Sequence, residues 1–242
     1  MSSRDHTVWI FIDYDNLLPN HKTGGILQLV TRALIQLPVG SVARRARCDV
    51  RVYGGWYEGA LMTRLAQELA VELQRDFPAV IRLAGGEGTI VPVATNAELA
   101  VALIQEPGHH LFNTYRRKGK PANVRVAEPH AIGCSDTSCV LPLMKRLLKT
   151  GTCPKAGCVV SSEQVLYRHE QKIVDTMLSC DLIHAISVLP DNVILVSGDD
   201  DFLPPLRVLL LGGTSVIRFH PKLTHQYATF PPGTAQLIEL EL

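Results

Sequence analysis

Short apolar runs rich in β-branched residues alternate along the chain with longer stretches in which apolar positions return every three or four residues. The first pattern is that of buried strands and the second that of helices lying on a sheet. The pattern predicts strands near residues 8–12, 49–53, 80–83, 123–126, 193–196 and 215–219. It predicts helices over 25–37, 59–76, 162–178 and 202–211, with Leu65, Leu69 and Leu73 marking the helical period in the second. Alternation of this kind specifies an α/β fold, a central parallel sheet flanked by helices. Residues 103–120 carry no persistent period and contain Pro107, Gly108 and Gly119, so an irregular or hairpin excursion is expected there.

With 242 residues, 46% hydrophobic and 19% charged, the chain suits one large domain or a domain with an insertion. The apolar run at 8–12 is too short for a signal peptide and no run reaches membrane-spanning length. A cytoplasmic protein is expected, with no membrane partner and with reduced or metal-bound cysteines. The net charge of +1 gives no general electrostatic footprint for nucleic acid, so local patches must carry any such argument.

The chemistry concentrates in acids that follow strands. Residues 9–18 read W-I-F-I-D-Y-D-N-L-L, an apolar strand running into Asp13, Asp15 and Asn16. Residues 192–201 read N-V-I-L-V-S-G-D-D-D and set Asp199, Asp200 and Asp201 just past a second strand, with Gly198 expected to permit a sharp bend. In open α/β sheets ligands bind beyond the carboxyl ends of the strands. Between the two lies E-Q-K-I-V-D-T-M-L-S-C-D, where Lys172 and Asp175 are expected on one helical face and Asp181 off it. A lone Asp after a strand is an ordinary helix cap. Capping does not require three such groups to converge. Gathered carboxylates raise one another's pKa unless a cation neutralises them, and oxygen-only ligands select Mg²⁺ or Mn²⁺ over zinc. Such a cation activates water for attack on a phosphodiester.

Three blocks, D-Y-D-N at 13–16, K-I-V-D at 172–175 and S-G-D-D-D-F at 197–202, resemble in kind and order the motifs of NYN-domain proteins in the PIN-like nuclease superfamily. The resemblance spans nearly the whole chain. It implies a PIN-like Rossmannoid fold, a metal-dependent ribonuclease (an endonuclease) and RNA as substrate. Carried over by position, Asp13, Asn16, Asp175, Asp199 and Asp201 are the site residues, with Asp13, Asp175, Asp199 and Asp201 holding Mg²⁺ or Mn²⁺, and Asp181 at a position the family often fills with Asp. Asp200 stands where the family more often has a small polar residue, and the middle of the chain is longer than a minimal domain, which implies an insertion. D-Y-D-N-L also resembles the nucleophile motif of haloacid-dehalogenase-like phosphatases, with Asp13 as nucleophile and Asp15 as acid. Leu17 occupies the usual Thr or Val position of that family, and K-I-V-D is better explained by NYN. A non-catalytic module that binds RNA or protein is the third alternative.

The insertion is expected at 130–160, within a single domain covering 1–242. Its Cys134, Cys139, Cys153 and Cys158 follow C-x4-C-x13-C-x4-C, two short pairs able to close a tetrahedron around a structural Zn²⁺. The intervening L-P-L-M-K-R-L-L-K reads as a short amphipathic helix, and Cys48 and Cys180 as buried thiols. Three basic clusters, Arg44, Arg45 and Arg47; Arg116, Arg117, Lys118 and Lys120; and Lys145, Arg146 and Lys149, are candidates for phosphate contact. Lys172, Trp56 and Tyr57 complete the proposed nucleic-acid surface, the two aromatics as stacking partners for unpaired bases. G-G-E-G at 85–88 lacks the lysine of a phosphate loop and reads as a turn. A homo-oligomer is compatible with the sequence.

Overall fold

The structure, a computed structural model, describes residues 5–38, 42, 45–118, 140–221 and 235–242. In chain order its elements are β1 (His6–Asp13), α1 (Pro19–Lys22), α2 (Gly25–Ile35), β2 (Ala46–Tyr53), β3 (Tyr57–Glu58), β4 (Leu61–Met62), α3 (Arg64–Asp76), β5 (Ala79–Ala84), β6 (Ile90–Leu99), β7 (Tyr115–Lys118), α4 (Leu141–Thr150), α5 (Ser162–Val165), β8 (Arg168–Gln171), α6 (Val174–Val188), β9 (Asn192–Val196), α7 (Leu203–Leu211), β10 (Val216–His220) and β11 (Leu237–Glu241). Two compact units divide them, one made of Met1–Thr114 with Lys172–Leu242, the other of Tyr115–Gln171. The second unit is wider than the insertion expected at 130–160.

The larger unit is built on a seven-stranded sheet in the order β11-β10-β9-β1-β2-β6-β5. Every neighbouring pair is parallel except β5 with β6. Period-two alternation sends successive side chains to opposite faces. Ile10, Ile12, Ile194 and Val196 join the buried residues of α2 and α3. Phe11, Val193 and Leu195 join those of α6 and α7. Both faces of the central strands are therefore covered, and this is why they read as unbroken apolar runs.

The chain leaves β1 for β2 on one side and later returns to β9 on the other. That reversal lies at the carboxyl ends of β1 and β9, the place where open α/β sheets bind their ligands in a crevice. Asp13 is the last residue of β1. Ser197 and Asp199 follow directly on β9.

Two sequence expectations need correction here. Residues 59–63 belong to the β3–β4 hairpin, and α3 starts only at Arg64, behind a Thr63 cap that accepts from the Ala66 N–H. The helix expected over 162–178 is instead α5, the strand β8 and the start of α6. Strand β8 pairs antiparallel with β7, which lies more than fifty residues earlier in the sequence, a non-local pairing that local periodicity cannot register. Strands β6 and β11 were not foreseen, and the strand expected at 123–126 lies outside the described residues. The G-G-E-G segment does form a tight turn, between β5 and β6.

In the smaller unit, α4 ends at Gly151, whose φ of 77° needs glycine, and a bridge between Thr152 and Ser161 closes the following loop. Within that loop the Cys153 N–H bonds to the Val160 carbonyl and the Cys158 N–H to the Lys155 carbonyl. Helix α4 buries Leu147 alone.

Candidate active site

Asp13, the last residue of β1, is 3% exposed. Its Oδ2 accepts a 2.8 Å bond from the Ser197 hydroxyl, and the Asn16 side chain also donates to it. The same Ser197 oxygen accepts from the Asp199 N–H at 3.1 Å, and Asp199 Oδ1 accepts from the Asp201 N–H at 2.9 Å. A chain of hydrogen bonds thus runs from β1 across to the turn after β9. On the other flank the Asp15 carboxylate accepts from the Gly55 N–H at 2.9 Å.

Burial pushes the Asp13 carboxyl up to about 6; the Ser197 and Asn16 hydrogen bonds oppose this, and the charges of Asp175 and Asp15 add to it. Asp175, in the first turn of α6, is also raised, by partial burial and by the charges of Asp199, Asp201 and Asp15. Each of these acids is felt by another, so Asp13, Asp15, Asp175, Asp199 and Asp201 form one electrostatic neighbourhood. Asp15 was absent from the expected nuclease ligands. Its signal was its place two residues after Asp13 in the same post-strand turn.

Lys172 precedes α6 rather than sharing its face with Asp175. Ile173 intervenes in the left-handed region, with φ of 59°, an uncommon conformation for a β-branched residue. Asp181 is 1% exposed and fully engaged: it accepts from the Tyr53 hydroxyl at 2.7 Å and the Ile104 N–H at 2.9 Å and faces Arg51 at 3.6 Å. It is a structural carboxylate.

The turn after β9 is held by a residue that the sequence did not single out. Arg218 of β10, 0% exposed, donates from Nε to the Ser197 carbonyl at 3.1 Å and from Nη2 to the Asp199 carbonyl at 2.8 Å and Asp200 Oδ1 at 3.1 Å. Its Nη1 meets Glu239 at 3.3 Å, and Glu239 also pairs with His220 at 2.9 Å. The signal was an arginine in the apolar strand V-I-R-F-H. Gly198 has no positive φ, and an added Cβ would meet Pro221 only at ordinary contact distance, 3.4 Å. The bend thus rests on Ser197 and Arg218 rather than on glycine.

Trp56 is 0% exposed; its indole N–H donates to the Val52 carbonyl at 3.1 Å and its ring packs near Tyr14. It is a core anchor, not a stacking platform. Gly54 is required beside it, because a Cβ there would lie 2.5 Å from the indole ring. Tyr57 is buried as well, edge-on to Phe112. The exposed aromatic of that group is Phe112.

Among the basic candidates, Arg47 is tied to Asp49 at 3.0 Å on its own strand, and Arg44 lies outside the described residues. Arg116 is exposed on β7. The side chains of Arg117 and Lys118, and all of Lys120, lie outside the described residues. Lys145, Arg146 and Lys149 are on α4.

Cys153 and Cys158 face each other across the turn with Gly157 at φ 76°. The Cys153 thiol is lowered by a backbone hydrogen bond at Lys155 and by the Cys158 side chain. Cys134 and Cys139 lie outside the described residues. Cys48 is buried as expected, whereas Cys180 is exposed.

Among the described residues no three His, Cys, Asp or Glu side chains are arranged to hold a metal ion. The donors nevertheless suit Mg²⁺ in kind: all are carboxylates, and the charges of their neighbours help to raise Asp13 and Asp175. Mg²⁺ keeps several waters and is held through one or two carboxylates rather than by a full protein cage. No described helix is long and apolar enough to cross a membrane. Comparison of the chain with protein-family models, curated proteins and solved structures finds no match.

Proposed function

We propose that the chain is a metal-dependent ribonuclease of the NYN type within the PIN-like superfamily, cutting single-stranded RNA internally at the carboxyl ends of β1 and β9. The observation that carries this reading is the electrostatic neighbourhood of Asp13, Asp15, Asp175, Asp199 and Asp201 at the strand-order reversal. An uncompensated group of this charge repels a phosphodiester and strains its own ionisation, so it gains function only with a cation.

Asp13, Asp175 and Asp199 would hold Mg²⁺ or Mn²⁺, with Asp201 beside them. A bound cation supplies a nucleophilic water and neutralises charge developing on the phosphate. The chain's own residues do the positioning. Ser197 and Asn16 fix the Asp13 carboxylate, and Ser197 couples its orientation to Asp199. The first turn of α6 carries Asp175 into the group.

In the larger unit exposed Phe112 is the candidate for base stacking; separately, Arg116 of the smaller unit is a candidate for phosphate contact. For the smaller unit we propose a structural Zn²⁺ held by Cys134, Cys139, Cys153 and Cys158. What supports it is the adjacency of the Cys153 and Cys158 thiols, beside a helix α4 that buries only Leu147 of its own residues.

The test is incubation of purified protein with labelled single-stranded RNA, duplex DNA and a phosphomonoester, with and without Mn²⁺. Mn²⁺-dependent internal cleavage of the RNA alone is expected. Release of phosphate from the monoester would replace this reading with a phosphatase, and RNA binding without cleavage in any metal would leave a binding module.

A further inference from the structure

We propose that Arg218 is a positioning residue for the acidic site, holding the turn at 197–200 so that Asp199, tied through Ser197 to Asp13, keeps its place near Asp175; this rests on the metal-dependent reading above. The guanidinium is fully buried, where an arginine is retained only if its donors are satisfied. Three of its contacts go to one turn: the carbonyls of Ser197 and Asp199 and the side chain of Asp200. Two of these are backbone acceptors, so the clamp fixes the path of the main chain whatever side chains the turn carries. Ser197 then passes that placement on, since its hydroxyl bonds both Asp13 and the Asp199 N–H.

The clamp is itself held from behind. Glu239 of β11, the register partner of Arg218 in β10, takes the remaining donor, and His220 braces the same Glu239 oxygen. The outer strand of the sheet therefore reaches the site through one ion pair. Asp200 also acquires a role: largely exposed, it serves the guanidinium, while its neighbours Asp199 and Asp201 belong to the acidic neighbourhood. Lysine cannot reproduce this arrangement, because its single ammonium lacks the planar fork that reaches two carbonyls and two carboxylates at once.

The experiment compares Mn²⁺ binding by calorimetry in the wild-type chain and in Arg218→Lys, Arg218→Met and Asp181→Asn, with thermal unfolding of each. Asp181→Asn breaks a different buried ion pair and controls for general loosening. Loss of the clamp should weaken Mn²⁺ binding about 10- to 100-fold, as loss of groups that orient metal ligands does. Arg218→Lys should retain the fold and part of the affinity, and Asp181→Asn should lower Tm while leaving affinity within about twofold of wild type. Wild-type affinity in both Arg218 variants would overturn the proposal, as would an equal loss in Asp181→Asn. If the wild-type chain binds no Mn²⁺, the metal-dependent reading fails separately. The clamp is then decided by amide hydrogen exchange in metal-free protein: faster exchange at 198–201 in Arg218→Lys upholds it, and unchanged exchange overturns it.

Discussion

The hydroxyl of Ser197 donates a 2.8 Å hydrogen bond to Oδ2 of Asp13, joining the carboxyl ends of two adjacent parallel strands at the point where strand order reverses. Ser197 is fully buried, and its oxygen also accepts from the Asp199 N–H. Ser197→Ala removes a bond to a buried carboxylate and leaves the Asp199 N–H without that acceptor. A loss of about 1.5–3 kcal/mol in unfolding free energy is expected, measurable by urea titration. Cleavage should fall with it, since Asp13 loses one of the two side-chain donors that orient it.

Asp13 also predicts a pH dependence. Its carboxyl is raised by burial from 3.8 to about 6, so the folded chain binds this proton more tightly than the unfolded chain. That contribution is fully favourable below about pH 4 and is lost as pH rises through about 6, at a cost of about 3 kcal/mol by pH 7. Asp175 is raised in the same direction and adds to the trend. Metal-free protein should therefore lose stability between pH 4 and 7, and Asp13→Asn should be more stable than wild type at pH 7. Denaturant midpoints across that range decide it; equal midpoints for the two proteins at pH 7 would refute the assignment.

The central strands, α2 and α7 were legible because buried parallel strands and helices on a sheet each carry a local period. The acids Asp13, Asp175 and Asp199 were legible because they directly follow strands or open a helix. What was not legible depends on partners distant in sequence. Strand β8 exists through its pairing with β7, and Trp56 is buried by Tyr14 and Gly54 rather than by anything in its own residue type. Arg218 was not singled out at all, because its burial depends on β11 and the turn at 197–200, both distant from it in sequence. Asp181, read in the sequence as lying off the Asp175 face, is committed by folding to Tyr53 and Ile104.

Trp56 offers a direct check on the corrected surface. Trp56→Ala should cost about 3–5 kcal/mol of stability, as truncation of a buried large aromatic does. Phe112→Ala, exposed at 49%, should change stability little and weaken RNA binding. Binding titrations with unstructured RNA settle the second point. Unaltered affinity in Phe112→Ala would remove Phe112 from the RNA surface.

The zinc proposal predicts a defined metal content. Protein purified without chelators should carry one zinc per chain, and Cys153→Ser should abolish it while increasing proteolysis within Tyr115–Gln171 more than in the seven-stranded sheet. Zinc-free protein with the same proteolytic pattern as untreated protein would contradict this.

The most direct test of the central claim is cleavage of an internally labelled single-stranded RNA by wild type and Asp199→Asn, each titrated with Mn²⁺ while RNA binding is followed in parallel. The account predicts internal cleavage by wild type that rises with Mn²⁺ and disappears with a chelator. Asp199→Asn should bind the RNA with comparable affinity and lose at least about 100-fold in rate, the scale on which removing a group that stabilises the transition state is felt. Cleavage that is independent of divalent metal, or that survives Asp199→Asn undiminished, would contradict it.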